Sequence, residues 1–246
     1  MAEEEVPFFK LMRQRTRNIH DVSDALVNLK LGLTLSDDTV WSEGILTFAN
    51  IFLFLESALS RHQMTQFGGL DVKGLRRTEG LQKDLEAFYG KEWEEKLNSM
   101  KNTPAVQNYI AHLEQVEEED PNILCAYVYH LYMGLLSGGQ ILSAKKKISR
   151  KQVCEGEELF KIEKPLSVYL LKKSIRDAMQ SISEQLSGDA KERILQESVK
   201  VFELNNTLIH SVKGVNEAFS KLVQKVIIVS VFILLISYII AQYYVS

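Results

Sequence analysis

Two cations, an imidazole and a carboxylate (Arg13, Arg17, His20 and Asp24) follow one another at steps of four, three and four residues. On an α-helix that spacing places them on one face, beside a stripe formed by Phe9, Met12, Thr16, Ile19 and Leu26. A histidine so placed can give one ring nitrogen to a metal while a carboxylate one turn away fixes the other. It can equally be an ordinary surface or satisfied core histidine. The second unusual stretch begins as a buried helix, with Tyr127, Val128, Leu131 and Leu135 sharing a face, and then spends Gly134, Gly138 and Gly139 inside the same apolar pattern. Each glycine costs a helix roughly 0.5–1 kcal/mol against alanine, so three call for a backbone approached more closely than any side chain permits. A flat, bulky cofactor meets that need; a loop or a close helix crossing meets it too.

These residues must be carried by helices. Periodic apolar patterns follow one another with short interruptions, and no alternating strand pattern bounded by hairpin signals is sustained. The expected fold class is all-α. Asp37 and its neighbours cap the apolar run 41–59, Phe67, Gly68, Gly69 and Leu70 mark a turn, as do Thr103 and Pro104, and Asp120 with Pro121 opens the glycine-bearing helix. The run 143–164, with Lys145, Lys146, Lys147, Arg150 and Lys151 followed by Glu155, Glu157 and Glu158, is expected to be a helix end and a solvated surface connection.

The 246 residues suit one domain plus an appendage, and 46% hydrophobic composition is enough for one real core. A formal net charge of −3 gives no drive toward nucleic acid. Cys125 and Cys154, without a CxxC spacing, argue against a disulfide framework or a structural zinc site. Residues 1–7 form an acidic lead without signal-peptide character. The domain is expected over 8–214 and a short linker over 215–225. From 226 to 245 the chain is almost wholly apolar. About 20 residues at about 1.5 Å each span about 30 Å, a bilayer core, with Lys221 and Lys225 before the span and Tyr243 and Tyr244 at its far end. A transmembrane tail anchor with the rest of the chain in the cytosol is the expectation.

The chain resembles the heme oxygenase family over nearly its whole soluble part: in residues 13–24, 80–85, 88–90, 104–109 and 134–140, and in Phe202 with Asn205. The resemblance implies a multi-helix domain with heme between a proximal helix carrying His20 as iron ligand and a distal helix where Gly134 and Gly138 let the backbone close over the ring. It implies that Asp24 supports His20, that Arg13, Arg17, Lys172 and Arg176 reach the heme propionates, that Tyr129, Phe202 and Asn205 line the pocket, and that Ser137 belongs to the catalytic run. It further implies ring opening with dioxygen and NADPH-derived electrons from NADPH–cytochrome P450 reductase, yielding biliverdin, carbon monoxide and ferrous iron. Biliverdin reductase would act downstream, and the endoplasmic reticulum is the implied membrane.

One departure from the family pattern changes the expected chemistry. The carboxylate that usually follows the first distal glycine is Leu135, and the arginine usual further upstream is Leu131. Leucine neither donates nor accepts a hydrogen bond, and proton delivery of this kind is worth about 10²–10⁴ in rate. An oxygenase that is slow or has relaxed meso regioselectivity is expected, His130 replacing part of the lost network. The alternative is a membrane-anchored heme sensor or buffer that has lost catalysis. A tail-anchored fusion or apoptosis regulator fits less well, because Asn205, Asn206, Gly214 and Asn216 interrupt any heptad run. None of the five histidines follows a glutamate at the di-iron Glu-x-x-His spacing, and there is no nucleotide loop, nucleophile elbow or zinc protease motif.

Overall fold

The structure, a computed structural model, describes residues 6–30, 37–149 and 156–245. Among the described residues the regular elements are helices, with no strand: the fold is all-α. In chain order they are α1 (Phe8–Lys30), α2 (Asp38–Arg61), α3 (Thr78–Tyr89), α4 (Trp93–Lys101), α5 (Pro104–Glu119), α6 (Cys125–Gly134), α7 (Gln140–Ser149), α8 (Val168–Gln185), α9 (Gly188–Ser211) and α10 (Val215–Val245). Between α6 and α7 the chain winds one π-helical turn over Leu135–Gly139, so α6, this turn and α7 form one bent rod. Single-turn π insertions of this kind widen a helix locally and recur at functional sites.

Local chemistry sets the helix starts. Asp37 accepts from the Thr39 amide at 3.0 Å and Ser167 from the Leu170 amide at 3.2 Å, each satisfying a donor that the first turn leaves free. Pro104 occupies the first turn of α5, where its missing N–H costs nothing. Phe67–Leu70, expected as a turn, is a short 3-10 helix.

The core is built on α2, α6 and α9. Residues 123–129 are buried on every side, as befits a central helix. Helix α9 packs against both α1 and α6, and α8 packs on α1. Glu56 of α2, 2% exposed, joins three helices: it accepts from Tyr132 Oη at 2.7 Å, from the Arg77 amide, and from the Thr78 amide at 3.2 Å. Burial holds the Tyr132 phenol well above its ordinary range, so it stays a donor to that carboxylate.

The basic run after Ser143 is not all solvated. Lys146 is fully buried, its Nζ 4.4 Å from the Trp41 ring centroid, 5.3 Å from that of Phe88 and 3.3 Å from Asp38 Oδ1. Two aromatic faces and a carboxylate replace its hydration. Gly156 accepts from Trp41 Nε1 at 3.2 Å, and Asp84 accepts from the amides of Glu158 and Leu159, which closes the connection back over α3. Arg150, Lys151, Cys154 and Glu155 lie outside the described residues. Cys125 is buried and its thiol is pushed upward by desolvation.

Among the described residues two helices are long and apolar enough to cross a membrane. One, α2, is a core helix; along α10 the apolar window within Val215–Ile240 has no buried residue. Residues 215–225, expected as a linker, are the first three turns of α10. Gly214 turns the chain into it at φ +77°, Ala218 packs on Val40 and Val212, and Lys221 Nζ lies 3.6 Å from Asp37 Oδ2.

Candidate functional site

Helix α9 floors a cleft whose walls are α1 on one side and α6 with its π turn on the other. Phe202 of α9 marks the inner end, because it touches a ring from each wall: His20 of α1 at 5.5 Å and His130 of α6 at 5.2 Å between centroids. The i, i+4 spacing brings Asp24 Oδ2 to 3.4 Å from His20 Nδ1. That contact orients the ring and leaves Nε2 for a ligand bond. The His20 side chain is 51% exposed, so it fronts open space rather than the core.

The opposite wall is bare backbone. A Cβ on Gly134 or on Gly138 would meet nothing within 4 Å, and both residues are exposed. Gly139 has a different reason: a Cβ there would lie 2.8 Å from Phe160 Cε1. The three glycines therefore divide into two that face open space and one that admits the Phe160 ring. Leu131 is buried in the core, and Leu135 packs against its edge. Of the side chains on this wall, Ser137 Oγ donates to the Met133 carbonyl at 2.7 Å and accepts from Lys172 Nζ at 2.8 Å.

Lys172 belongs to a cationic group at the mouth. Desolvation, then Arg176 and Arg13, pushes its ammonium below the ordinary lysine range. Tyr129, buried beside the same arginines, is raised by desolvation and drawn back by Arg176 and Arg13. Cations that raise one another's charging cost mark a place made for an anion. Arg13, Lys172, Arg176 and Tyr129 thus converge, whereas Arg17, on the same helical face as Arg13, is exposed and has no ion-pair partner among the described residues.

At the inner end, His130 is partly exposed as a residue while its Nε2 is fully enclosed and without a hydrogen-bond partner. Burial, and secondarily His20, lowers its imidazole from 6.5 to about 3, so the ring is neutral at ordinary pH. Ser23 Oγ, one turn beyond His20, and Asn206 Oδ1, one turn beyond Phe202, are likewise enclosed and unpartnered. Native interiors seldom leave such atoms unmet. Asn205 Oδ1 accepts from Tyr109 Oη at 3.1 Å, tying α9 to α5 behind the cleft.

The heme oxygenase family model matches residues 6–211. The chain belongs to the heme oxygenase family. It is similar to rat heme oxygenase 2, at 36% identity over 133 residues, 53% of this chain and 41% of that protein, so it spans less than half the length of that relative. Similarity to the heme oxygenase of Rhodella violacea is 28% over 218 residues, covering 86% of this chain and 88% of the relative. Among solved structures, Chlamydomonas reinhardtii heme oxygenase 2 without heme superimposes with a TM-score of 0.75 at 25% identity, over 84% of this chain and 98% of the other. Heme oxygenase-1 from Synechocystis in complex with heme gives 0.79 at 21% identity over 90% and 100%, a likeness of fold.

The residues present fit the family's ligand. No three His, Cys, Asp or Glu side chains among the described residues come together as a metal site. The open glycine wall, the carboxylate-held His20, the three cations at the mouth and the unpartnered polar atoms at the inner end match a flat ring with two carboxylates.

Sequence reasoning missed the polar ties behind the wall: Glu56 with Tyr132, and Glu197 of α9, which accepts from Tyr127 Oη and pairs with His112 Nε2 at 2.8 Å. The available signal was three tyrosines in an apolar helix, since a buried phenol demands a partner, though not which one. A separate hollow of about 290 Å³, lined by Met64, Gln66, Gly69, Ile182 and Gln185, carries no titratable group.

Proposed function

We propose that the chain binds heme between α1 and the glycine wall and opens it oxidatively to biliverdin, carbon monoxide and ferrous iron, with dioxygen and electrons from a reductase of the NADPH–cytochrome P450 type. The observation that carries this reading is His20, oriented by Asp24, facing a wall at which Gly134 and Gly138 leave room for a ring. Heme, when bound, supplies the iron at which dioxygen is activated and the meso carbon that is oxidised. His20 Nε2 holds the iron while Asp24 fixes the imidazole. Arg13, Lys172 and Arg176, with Arg17 on the adjoining face of α1, receive the propionates and so set which meso edge points inward. Ser137 holds Lys172 against the glycine wall, and Tyr129 and Phe202 bound the ring's edges.

Leu131 and Leu135 leave the wall without the carboxylate and guanidinium that would organise water for proton delivery, so the reaction is slow and its regiochemistry relaxed. The same two leucines favour a second reading, a heme sensor or buffer. The exposed apolar length of α10 supports a membrane-anchored protein; we place its domain on the cytosolic face of the endoplasmic reticulum, with biliverdin reductase consuming the pigment.

Hemin titration followed by single turnover with NADPH and cytochrome P450 reductase, with chromatography of the pigment, tests both readings. Loss of the Soret band with appearance of biliverdin isomers supports the oxygenase. A stable ferrous complex that never opens moves the chain to the sensor, and a His20→Ala variant that binds hemin with an unchanged spectrum removes His20 as ligand.

A further inference from the structure

Between residues 130 and 138 the glycine wall carries three side chains able to hydrogen-bond: His130, Tyr132 and Ser137. Tyr132 Oη is committed to Glu56, and Ser137 Oγ to the Met133 carbonyl and Lys172. His130 Nε2 alone is uncommitted, although it is fully enclosed. Its position is not accidental packing at a remote edge. Residue 130 lies one turn before Gly134 and shares its face, and its ring is held edge-on by Tyr129 at 5.2 Å and by Phe202 at 5.2 Å, the same Phe202 that packs on His20 across the cleft. An enclosed ring nitrogen without a protein partner, on the α6 wall across Phe202 from His20, is a hydrogen-bonding group left for a ligand, and a donor in the tautomer that carries its proton on Nε2.

We propose that His130 Nε2–H is the direct hydrogen-bond donor to the small diatomic ligand that heme takes on the face opposite His20. This rests on the heme-binding reading above and adds to it a residue that both strengthens diatomic binding and selects its orientation. Because His130 stands at the Phe202 end, it draws the ligand toward α9 and biases attack toward the meso position at that end, within the regiochemistry that the two leucines leave relaxed. An imidazole thus holds and tilts the ligand in one contact, while the proton delivery that the missing carboxylate and arginine would organise through water stays absent.

The test uses the full chain in detergent, loaded with hemin, then reduced and exposed to carbon monoxide or dioxygen. The C–O stretch is read by infrared spectroscopy and the dioxygen release rate by stopped flow, for the wild type, His130→Leu and His130→Gln. The expected result is a C–O stretch that moves to higher wavenumber in His130→Leu and returns part of the way in His130→Gln. Dioxygen release should be faster by about tenfold in the leucine variant, the loss of one hydrogen bond. An unmoved C–O stretch and release rate in variants with a normal Soret band overturn the proposal and leave heme binding intact. A ferric wild type that is low-spin through two imidazoles, and becomes high-spin in His130→Leu, also overturns it by making His130 an iron ligand. A wild type that takes up no hemin removes the heme-binding reading itself, and the proposal with it.

Discussion

Replacing Gly134 with alanine should stabilise the empty protein and damage heme binding at once. Gly134 closes α6 in ordinary helical geometry, φ −63° and ψ −48°, and a Cβ there meets nothing within 4 Å. No strain opposes the methyl, so the gain is the helix preference of alanine over glycine, about 0.5–1 kcal/mol. For a domain of this size about 1 kcal/mol moves the melting temperature by about 2–4 °C, giving an expected rise of about 1–4 °C. The same methyl projects into the space assigned to the ring. Overfilling a packed contact costs about 1–3 kcal/mol, or about 5- to 150-fold in hemin affinity. Thermal unfolding of hemin-free protein by circular dichroism and hemin titration at the Soret band measure the two effects separately. A lowered melting temperature would show that the wall is packed against something else; unchanged hemin affinity would show that the ring does not approach Gly134, and the close-approach argument would fail.

Gly139→Ala should do the reverse, destabilising the empty protein by about 1–3 kcal/mol because its Cβ would sit 2.8 Å from Phe160, which a urea titration checks. Lys172→Ala and Arg176→Ala should each weaken hemin binding by about tenfold and leave mesoheme dimethyl ester, which lacks the carboxylates, unaffected; equal losses for both ligands would remove the propionate role. Leu135→Asp should raise the single-turnover rate of ring opening by at least about tenfold if proton delivery limits it, and an unchanged rate would assign water organisation to other groups. The folded-state pKa of His130 is lowered from 6.5 to about 3, so the unfolded chain takes up its proton first. The stability this contributes is complete above about pH 6.5 and is lost as pH falls from there toward 3. Unfolding midpoints of hemin-free protein across that range should slope downward, and His130→Leu should flatten the slope.

Much of the architecture was legible because it follows from local rules. The His20 and Asp24 pairing follows from a four-residue step, and the cap at Asp37 from a side chain that can accept an amide. What the sequence concealed depends on partners distant in the chain. Gly139 looks like its neighbours Gly134 and Gly138, but its purpose is set by Phe160, 21 residues on in a short 3-10 helix. Lys146 sits in a basic run and is nonetheless enclosed, because Trp41 and Phe88 arrive from two other helices. Arg13 and Arg17 share a helical face, yet of the two it is Arg13 whose charge acts on Lys172 and Tyr129. Periodicity assigns residues to faces; it does not say which neighbour each face will meet.

The way α10 leaves the domain bears on how an electron donor would find the cleft. A flexible leash would let the domain tumble above the bilayer and present its mouth in every direction. Here the exposed apolar helix begins immediately after Gly214, seats Ala218 on Val40, and clips Lys221 to the Asp37 that also caps α2. If α10 spans a bilayer as proposed, it is a stalk whose angle to the domain is set by contacts at the head of α2. A donor anchored in the same bilayer would meet a mouth at a fixed height and tilt, so the search is reduced to diffusion in a plane and rotation about one axis.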